Sequence, residues 1–366
     1  MSLRTDFTAA LTRAGKSENL PREDLITLLG ADADESKVLF RLADQVRLKY
    51  MGNGVHFRGI IEFSNYCSKN CFYCGLRRDN AGLTRYRMEA GEIIAGAREA
   101  ARLGCRTVVL QSGEDSFYSA EILAGIIFRI KKELDLAVTL SLGDRSKQDY
   151  ALLREAGADR CLLKHETCDA GLFSDLRPGT SLEGRITRLK WLRELGYQVG
   201  SGNMVGLPGQ TIETLAGDII LMRELEVEMA GIGPFIPNKQ TPLANASGGT
   251  LEMTLKTLAV ARIAMPWAHL PSTTSAASIH PSGRVKALKS GANVIMPNMT
   301  PQRYRESYCI YPGKLGTADT PAQSYNRAVM AVKDAGCCIS EGYGHSLRYQ
   351  KKYADKNGTW DLGRET

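Results

Sequence analysis

From His56 onward the chain alternates short apolar or β-branched runs with longer amphipathic stretches, and that alternation repeats to its end. The runs are His56 to Asn65, Thr107 to Gly113, Ala137 to Gly143, Arg160 to Thr167, Gln198 to Pro208, Met229 to Phe235, His269 to Ala276 and Ala292 to Met299. Strands separated by helices pair in parallel, because each crossover returns the chain to the same edge. Eight such units over about 280 residues predict a sheet closed on itself, a complete (β/α)8 barrel of TIM type. The helical stretches carry their own punctuation. Ser119 precedes Ile122, Leu123, Ile126, Ile127 and Ile130; Ser181 leads into a helix that Gly196 stops; Thr320, Pro321 and Gln323 form a capping box that opens a helix ended by Gly336. The first fifty residues read as helices, with Pro21 opening one, Asp34 or Ser36 capping the next and Gly52 closing it. The expected organisation is therefore an N-terminal helical extension over residues 1–55, a barrel over 56–335 and a tail over 336–366 packed on the barrel.

Composition narrows the function. With 366 residues, 43% of them apolar, the chain buries roughly three quarters of its unfolded surface and needs neither disulfides nor a structural metal to fold. A metal site here would serve function. The formal charge of +7 is spread without a basic block, which argues against nucleic acid as a partner. There is no signal-peptide pattern and no apolar run of membrane length, so a cytoplasmic protein is expected. Nine scattered cysteines suit reduced thiols rather than a secreted disulfide framework.

Three of those cysteines stand together. The exit of the first predicted strand reads SNYCSKNCFYCGLRRDN, placing Cys67, Cys71 and Cys74 in a C-x3-C-x2-C spacing. One loop can wrap three thiolates around a four-iron cluster and leave one iron open for a small chelating molecule. A reduced cluster can then pass one electron to a bound sulfonium, cleaving a carbon–sulfur bond. The alternatives are cysteines kept for packing, a structural zinc site, which wants four ligands and usually two separated pairs, and an electron carrier without catalysis. In a barrel, chemistry belongs at the C-terminal ends of the strands, and there Ser112, Thr139, Thr273 and Thr274, with Tyr308 beyond the last strand, form a polar ring suited to a small anionic or zwitterionic substrate.

The triplet resembles the signature of the radical S-adenosylmethionine (SAM) superfamily. The segments IEFSNYCSKNCFYCGLRRDN, VVLQSGED, TLSLGD, LLKHET, MVGLPGQT, GIGPFIP, GANVIMPN and YPGK, from Ile61 to Lys314, resemble its HydE family of [FeFe]-hydrogenase maturases. The resemblance implies a radical SAM enzyme that uses a single [4Fe-4S] cluster on Cys67, Cys71 and Cys74 to cleave SAM reductively. It would act in assembly of the H-cluster diiron site, on a cysteine-bound iron carbonyl cyanide precursor. It places Tyr73 near the adenine, Ser112, Gly113 and Glu114 at the methionine amino group, and Gln111 among the cofactor-binding residues. Glu166 falls at the ribose or the methionine, Arg185 at the SAM carboxylate, Lys164 at a basic position beside them, and Met204 and Met296 at the adenine or the radical-bearing carbon. Tyr308 joins the catalytic set. It further implies a monomer working with the maturases HydG and HydF and an electron donor, without membrane or nucleic acid. Relatives such as methylornithine synthase or biotin synthase share the triplet and the fold and supply the alternative reading.

Taken alone, several of these residues read more plainly: Glu114 and Asp115 as a solvated turn, His165 as a satisfied barrel histidine, the methionines as core, and Arg185 as a surface charge. Cys105, Cys161 and Cys168 read as packing or incidental thiols. Some HydE sequences carry further cysteines after YPGK for a second cluster. Here YPGKLGTADTPAQSYNRAV has none, and neither Cys309 nor Cys337 with Cys338 matches that spacing.

Overall fold

The longest strand sets the architecture. In Gly54–Ser64 (β1) the side chains of Val55, Phe57, Ile61 and Phe63 join the main apolar core, while the alternate residues His56, Arg58 and Glu62 reach polar partners across the barrel interior. This period of two is what an extended chain imposes. The computed structural model describes residues 3–17 and 19–348. Further strands follow at Thr107–Ser112 (β2), Ala137–Ser141 (β3), Arg160–Leu162 (β4), Gln198–Ser201 (β5), Met204–Val205 (β6), Met229–Ala230 (β7), Gly233–Pro234 (β8), Val294–Ile295 (β9) and Cys338–Ile339 (β10).

All the ladders are parallel, and the continuous path runs β10-β1-β2-β3-β4-β5-β7, with β9 also on β1. Registers such as Arg58↔Thr107, Val109↔Thr139, Thr139↔Arg160 and Gly200↔Met229 put inward residues side by side. β6 and β8 form a separate two-stranded pair above β5 and β7. Against the expectation of eight regular strands, the sheet is a regular parallel half-barrel. The run His269–Ala276 builds no ladder. It offers only the bridges Met229↔His269 and Pro271↔Val294, because Pro271 lacks an N–H and Thr273 already caps the helix Thr274–Ile279.

The helix signals act largely where the sequence places them. Ser119 accepts from Ile122 N, Ser181 from Gly184 N, and Thr320 with Gln323 completes the capping box. Gly52, Gly196 and Gly336 follow their helices at φ of +69°, +81° and +72°. The third helix departs from expectation: it begins at Ala33, and Asp32 rather than Asp34 or Ser36 is its cap, boxed with Glu35. The three helices Thr5–Ala14, Arg22–Leu29 and Ala33–Met51 share one core with the strands through Phe7, Leu25, Leu28 and Leu39. They cover the helices Ile212–Glu224 and Leu251–Ala264, the latter buried at every residue from Thr254 to Ala264.

At the opposite end of the chain, β10 pairs with Gly54 and Val55, and Tyr343 to Ser346 enter the N-terminal mouth of the barrel. The rest of the expected tail, 349–366, lies outside the described residues. Among the described residues no helix is long and apolar enough to cross a membrane. Cys105 and Cys161 are core residues, and Cys168 is half-buried with its thiol on Thr214 O.

Candidate functional site

The loop after β1 is built before it is functional. Asn65 ends the strand and holds two distant segments, donating to Thr84 O (2.8 Å) and Ser307 O (2.7 Å) and accepting from Tyr86 N (2.7 Å). Arg85 donates to the carbonyls of Asn65, Leu76 and Arg77 at 2.5, 3.0 and 2.7 Å. Phe72 N donates to Leu176 O, Gly75 N to Ile310 O and Ser68 N to Glu114 O. These bonds replace the regularity that a loop lacks and give its backbone a defined path.

On that path sit three free cysteines, Cys67, Cys71 and Cys74. Cys71 and Tyr73 form a small apolar cluster with Leu176, Leu207 and Phe235, against which Cys74 and Met204 pack. Glu114 N points at Cys67 Sγ from 3.4 Å. Burial pushes all three thiols up from their ordinary value, while the nearby Arg177 pulls each of them down. Thiols in such a place ionise when a cationic group takes them as ligands. Among the described residues no group of three or more His, Cys, Asp or Glu side chains is placed to hold one metal ion. Three free thiols on one loop, packed under an apolar cap and near the Arg177 cation, suit the thiolate ligands of an iron–sulfur cluster.

Gly113 lets β2 end against this loop. A Cβ there would lie 2.1 Å from Tyr66 O and 2.8 Å from Cys67 Cβ, so no other residue permits the approach. The next residue, Glu114, is no solvated turn: it stands between Lys69 Nζ at 3.5 Å and Arg177 Nη2 at 3.6 Å. Glu166 follows β4 at φ +65°, rare for a residue with a side chain and characteristic of functional loops. Its amide donates to Gly202 O and its carbonyl accepts from Met204 N, which hold that conformation. Burial raises its carboxyl, but Lys164 (3.2 Å), Arg177 and Arg185 outweigh burial and keep it below its ordinary value. Arg185 is 4% exposed and not a surface charge; it donates to Lys164 O (3.2 Å) and Asp144 (3.3 Å) and leaves Nε buried without a partner. His165 is a buried barrel histidine satisfied at one nitrogen only: Nδ1 lies 2.9 Å from Ser201 Oγ, while Nε2, 3.4 Å from Asp218, makes no hydrogen bond.

The residues read as a substrate ring divide. Gln111 hydrogen-bonds Tyr308, whose buried phenol is pushed well above its usual range. Ser112 Oγ donates to Gly113 O. Thr139 lies deeper on β3, buried with its hydroxyl unpartnered. Thr273 spends its hydroxyl on the cap of Thr274–Ile279, accepting from Ala276 N at 3.3 Å, and Thr274 is the first residue of that helix. Met204 is in the apolar cluster above the cysteines, and Met296 is half-buried just past β9.

Sequence reasoning missed Arg177, Lys69, Asp144 and the buried ion pair of Lys314 with Glu62, whose other oxygen accepts from Asn298 at 3.0 Å. Glu62 was visible as an inward-facing charge in an apolar run, and Lys314 ends the YPGK segment. Arg177 had no signal beyond its place in the loop after β4.

Comparison with known proteins agrees with this geometry. The model of the Radical SAM superfamily matches residues 61–222. The chain is 52% identical over 284 residues to the [FeFe] hydrogenase maturase subunit HydE of Thermotoga maritima, covering 78% of this chain and 81% of that protein. It is 29% identical to 3-methylornithine synthase of Methanosarcina acetivorans, over 83% and 87% of the two chains. The crystal structure of methylornithine synthase superposes with a TM-score of 0.79 at 25% identity, covering 90% of this chain and 97% of that one.

Proposed function

Because the chain belongs to the HydE family of [FeFe]-hydrogenase maturases, within the radical SAM superfamily, we propose that the top of its barrel binds one [4Fe-4S] cluster and one SAM. Its substrate is read as a small iron complex bearing cysteine, carbon monoxide and cyanide, on the way to the H-cluster diiron site. The observation that carries this is the loop after β1, with three free thiols beneath an apolar cap and beside the half-buried carboxylate of Glu114. When bound, the cluster and SAM supply one-electron cleavage of the sulfonium to a 5′-deoxyadenosyl radical.

The chain's own part is binding, orientation and exclusion of water. Cys67, Cys71 and Cys74 hold the cluster. Glu114, with Gln111, Ser112 and Gly113, receives the methionine ammonium, since an ammonium wants a carboxylate and carbonyls. The open Nε of Arg185 suits a carboxylate, with Lys164 adding charge. Glu166 orients the ribose, and Tyr73, Met204 and Met296 bound the adenine. Leu176, Leu207 and Phe235 keep water from the loop. The unpartnered hydroxyl of Thr139 supports an interior ligand shared with Ser112, Thr273, Thr274 and Tyr308.

The bridges at His269 and Pro271 are read as closing the half-barrel around that interior, with residues 1–55 as an extension that covers one flank. A single cluster is proposed, because the segment after YPGK is organised by side chains. Arg305 gathers the carbonyls of Asn298, Thr300 and Gly316, and Asp319 pairs with Arg327 at 2.8 Å. A cytoplasmic monomer served by HydG, HydF and an electron donor completes the reading.

The test is anaerobic activation of apo [FeFe]-hydrogenase by the other maturases with this protein present, absent, or altered to Ala at all three cysteines. Activation that needs the intact triplet supports the reading. Production of 5′-deoxyadenosine without activation would turn attention to amino-acid substrates of the methylornithine synthase kind, which turnover of lysine then tests.

A further inference from the structure

Arg177 is the buried cation that the cofactor assignments leave unused. It follows the helix Ala170–Leu176, is 6% exposed, and is fixed on every side. Its carbonyl accepts from Thr180 Oγ1 (2.7 Å) and Thr180 N (3.1 Å), and the carbonyl just before it accepts Phe72 N from the cysteine loop (2.9 Å). Its Nη1 donates to Tyr73 Oη at 2.7 Å, its Nη2 lies 3.6 Å from Glu114, and its plane sits over the Phe173 ring at 5.5 Å. Nε is buried without a partner.

Burying a guanidinium is unfavourable unless anions compensate it. The carboxylates that compensate it are shared with other cations, Glu114 with Lys69 and Glu166 with Lys164 and Arg185. The cation stands beside the triplet, since Arg177 bonds the phenol of Tyr73, which lies between Cys71 and Cys74, and the carbonyl preceding it holds Phe72 N. A cluster held by thiolates becomes more negative on reduction, and in a low-dielectric site a fixed nearby cation favours that state.

We propose that Arg177 is a positioning residue that ties the SAM-binding carboxylate Glu114 to the cysteine loop through Tyr73 and raises the reduction potential of a cluster held there. This rests on the reading of Cys67, Cys71 and Cys74 as cluster ligands. Arg177 keeps the carboxylate and the loop in register and offsets the charge added on reduction. A lysine in its place keeps the charge but not the fork that reaches two partners.

The experiment is an EPR-monitored redox titration, without SAM, of the full chain reconstituted anaerobically as wild type, Arg177→Gln, Arg177→Lys, Tyr73→Phe and Glu114→Gln. Arg177→Gln is expected to lower the reduced-to-oxidised ratio at a fixed poise about tenfold, 59 mV for one electron. Arg177→Lys and Tyr73→Phe should stay within about threefold of wild type. An Arg177→Gln protein with a full cluster and the wild-type potential overturns the proposal, as does Arg177→Lys shifting as far as Arg177→Gln. Should Arg177→Gln hold no cluster, Glu114→Gln decides: freeing Arg177 from its anion raises the ratio, and an unchanged ratio overturns the proposal. Wild-type protein that binds no iron would instead defeat the cluster assignment itself.

Discussion

The two mouths of the barrel are both lined with buried charge and dispose of it in opposite ways. At the N-terminal mouth the chain closes on itself. Tyr343 O accepts from Thr107 Oγ1 (2.9 Å) and Arg160 (2.6 Å), Gly344 O from Arg58 (3.1 Å), and Gln198 meets both His345 and the amide of Ser346. The histidines there are kept neutral. Burial, aided by repulsion from Arg58 and Arg160, lowers His56 and His345 to about 3 and His269 well below its ordinary value. At the C-terminal mouth the cations pair with carboxylate side chains, Arg177 and Lys69 with Glu114, Arg185 with Asp144 and Lys164 with Glu166, while unpartnered guanidinium Nε atoms occur at both mouths, on Arg58 as on Arg177 and Arg185. A mouth filled by the chain's own carbonyls stabilises the fold, whereas one lined by charged side chains can exchange those partners for a ligand.

Substitutions test whether the mouths are as separate as this suggests. The largest effect belongs to the cysteines: changing all three to Ala should take iron from about four per chain to almost none and abolish 5′-deoxyadenosine formation, measured by iron assay and chromatography. Retained iron would move the cluster elsewhere. Next comes Gly113→Ala, whose Cβ would meet Tyr66 O at 2.1 Å. Prising β2 from the cysteine loop should cost kcat/KM for SAM at least about tenfold, with overall stability reduced by ~1–3 kcal/mol.

At the other mouth Gly344→Val places a branched side chain at φ +60° against the His56 ring, 2.9 Å from the new Cβ. Stability should fall by about 1–3 kcal/mol in denaturant unfolding, while iron content and SAM cleavage per folded molecule stay as in wild type. A lost cluster in this variant would show that the mouths are coupled.

The smallest effect is in pH. These histidines have folded values below their unfolded value of about 6.5, so the unfolded state binds more protons between about pH 6.5 and 3. Their contribution is complete above 6.5 and declines as pH falls, by up to about 1.4 kcal/mol per pH unit for each histidine. Urea unfolding at pH 7 and pH 5 should show this decline, and His345→Gln should reduce it. An unchanged slope would place His345 outside the closed mouth.

Local patterns were legible to the extent that local physics decides them. Caps at Ser119, Ser181 and Thr320 act as read, because a side-chain oxygen beside free helix amides needs no distant help. The third helix was read two residues or more late, since Asp32, Asp34 and Ser36 are all capable caps and only Glu35 reaching back to Asp32 selects among them. The seventh run was read as a strand from its composition, yet Pro271 and the helix cap at Thr273 leave it two bridges. Arg185 read as a surface charge because its partners, Asp144 and the Lys164 carbonyl, come from other strand ends.

The sequence by itself determined the alternation that makes a parallel α/β sheet, the loop that carries three thiols, and the family to which both belong, since periodicity, spacing and similarity are properties of neighbours along a chain. Only the tertiary structure decided which charges meet. Glu114 is flanked by Lys69 and Arg177, Glu62 pairs with Lys314, and the mouth around Arg58 is filled by Gly344 from the far end of the chain. Ion pairing and burial depend on distances through space and on local dielectric. Folding of the parallel sheet with its loops sets both at once.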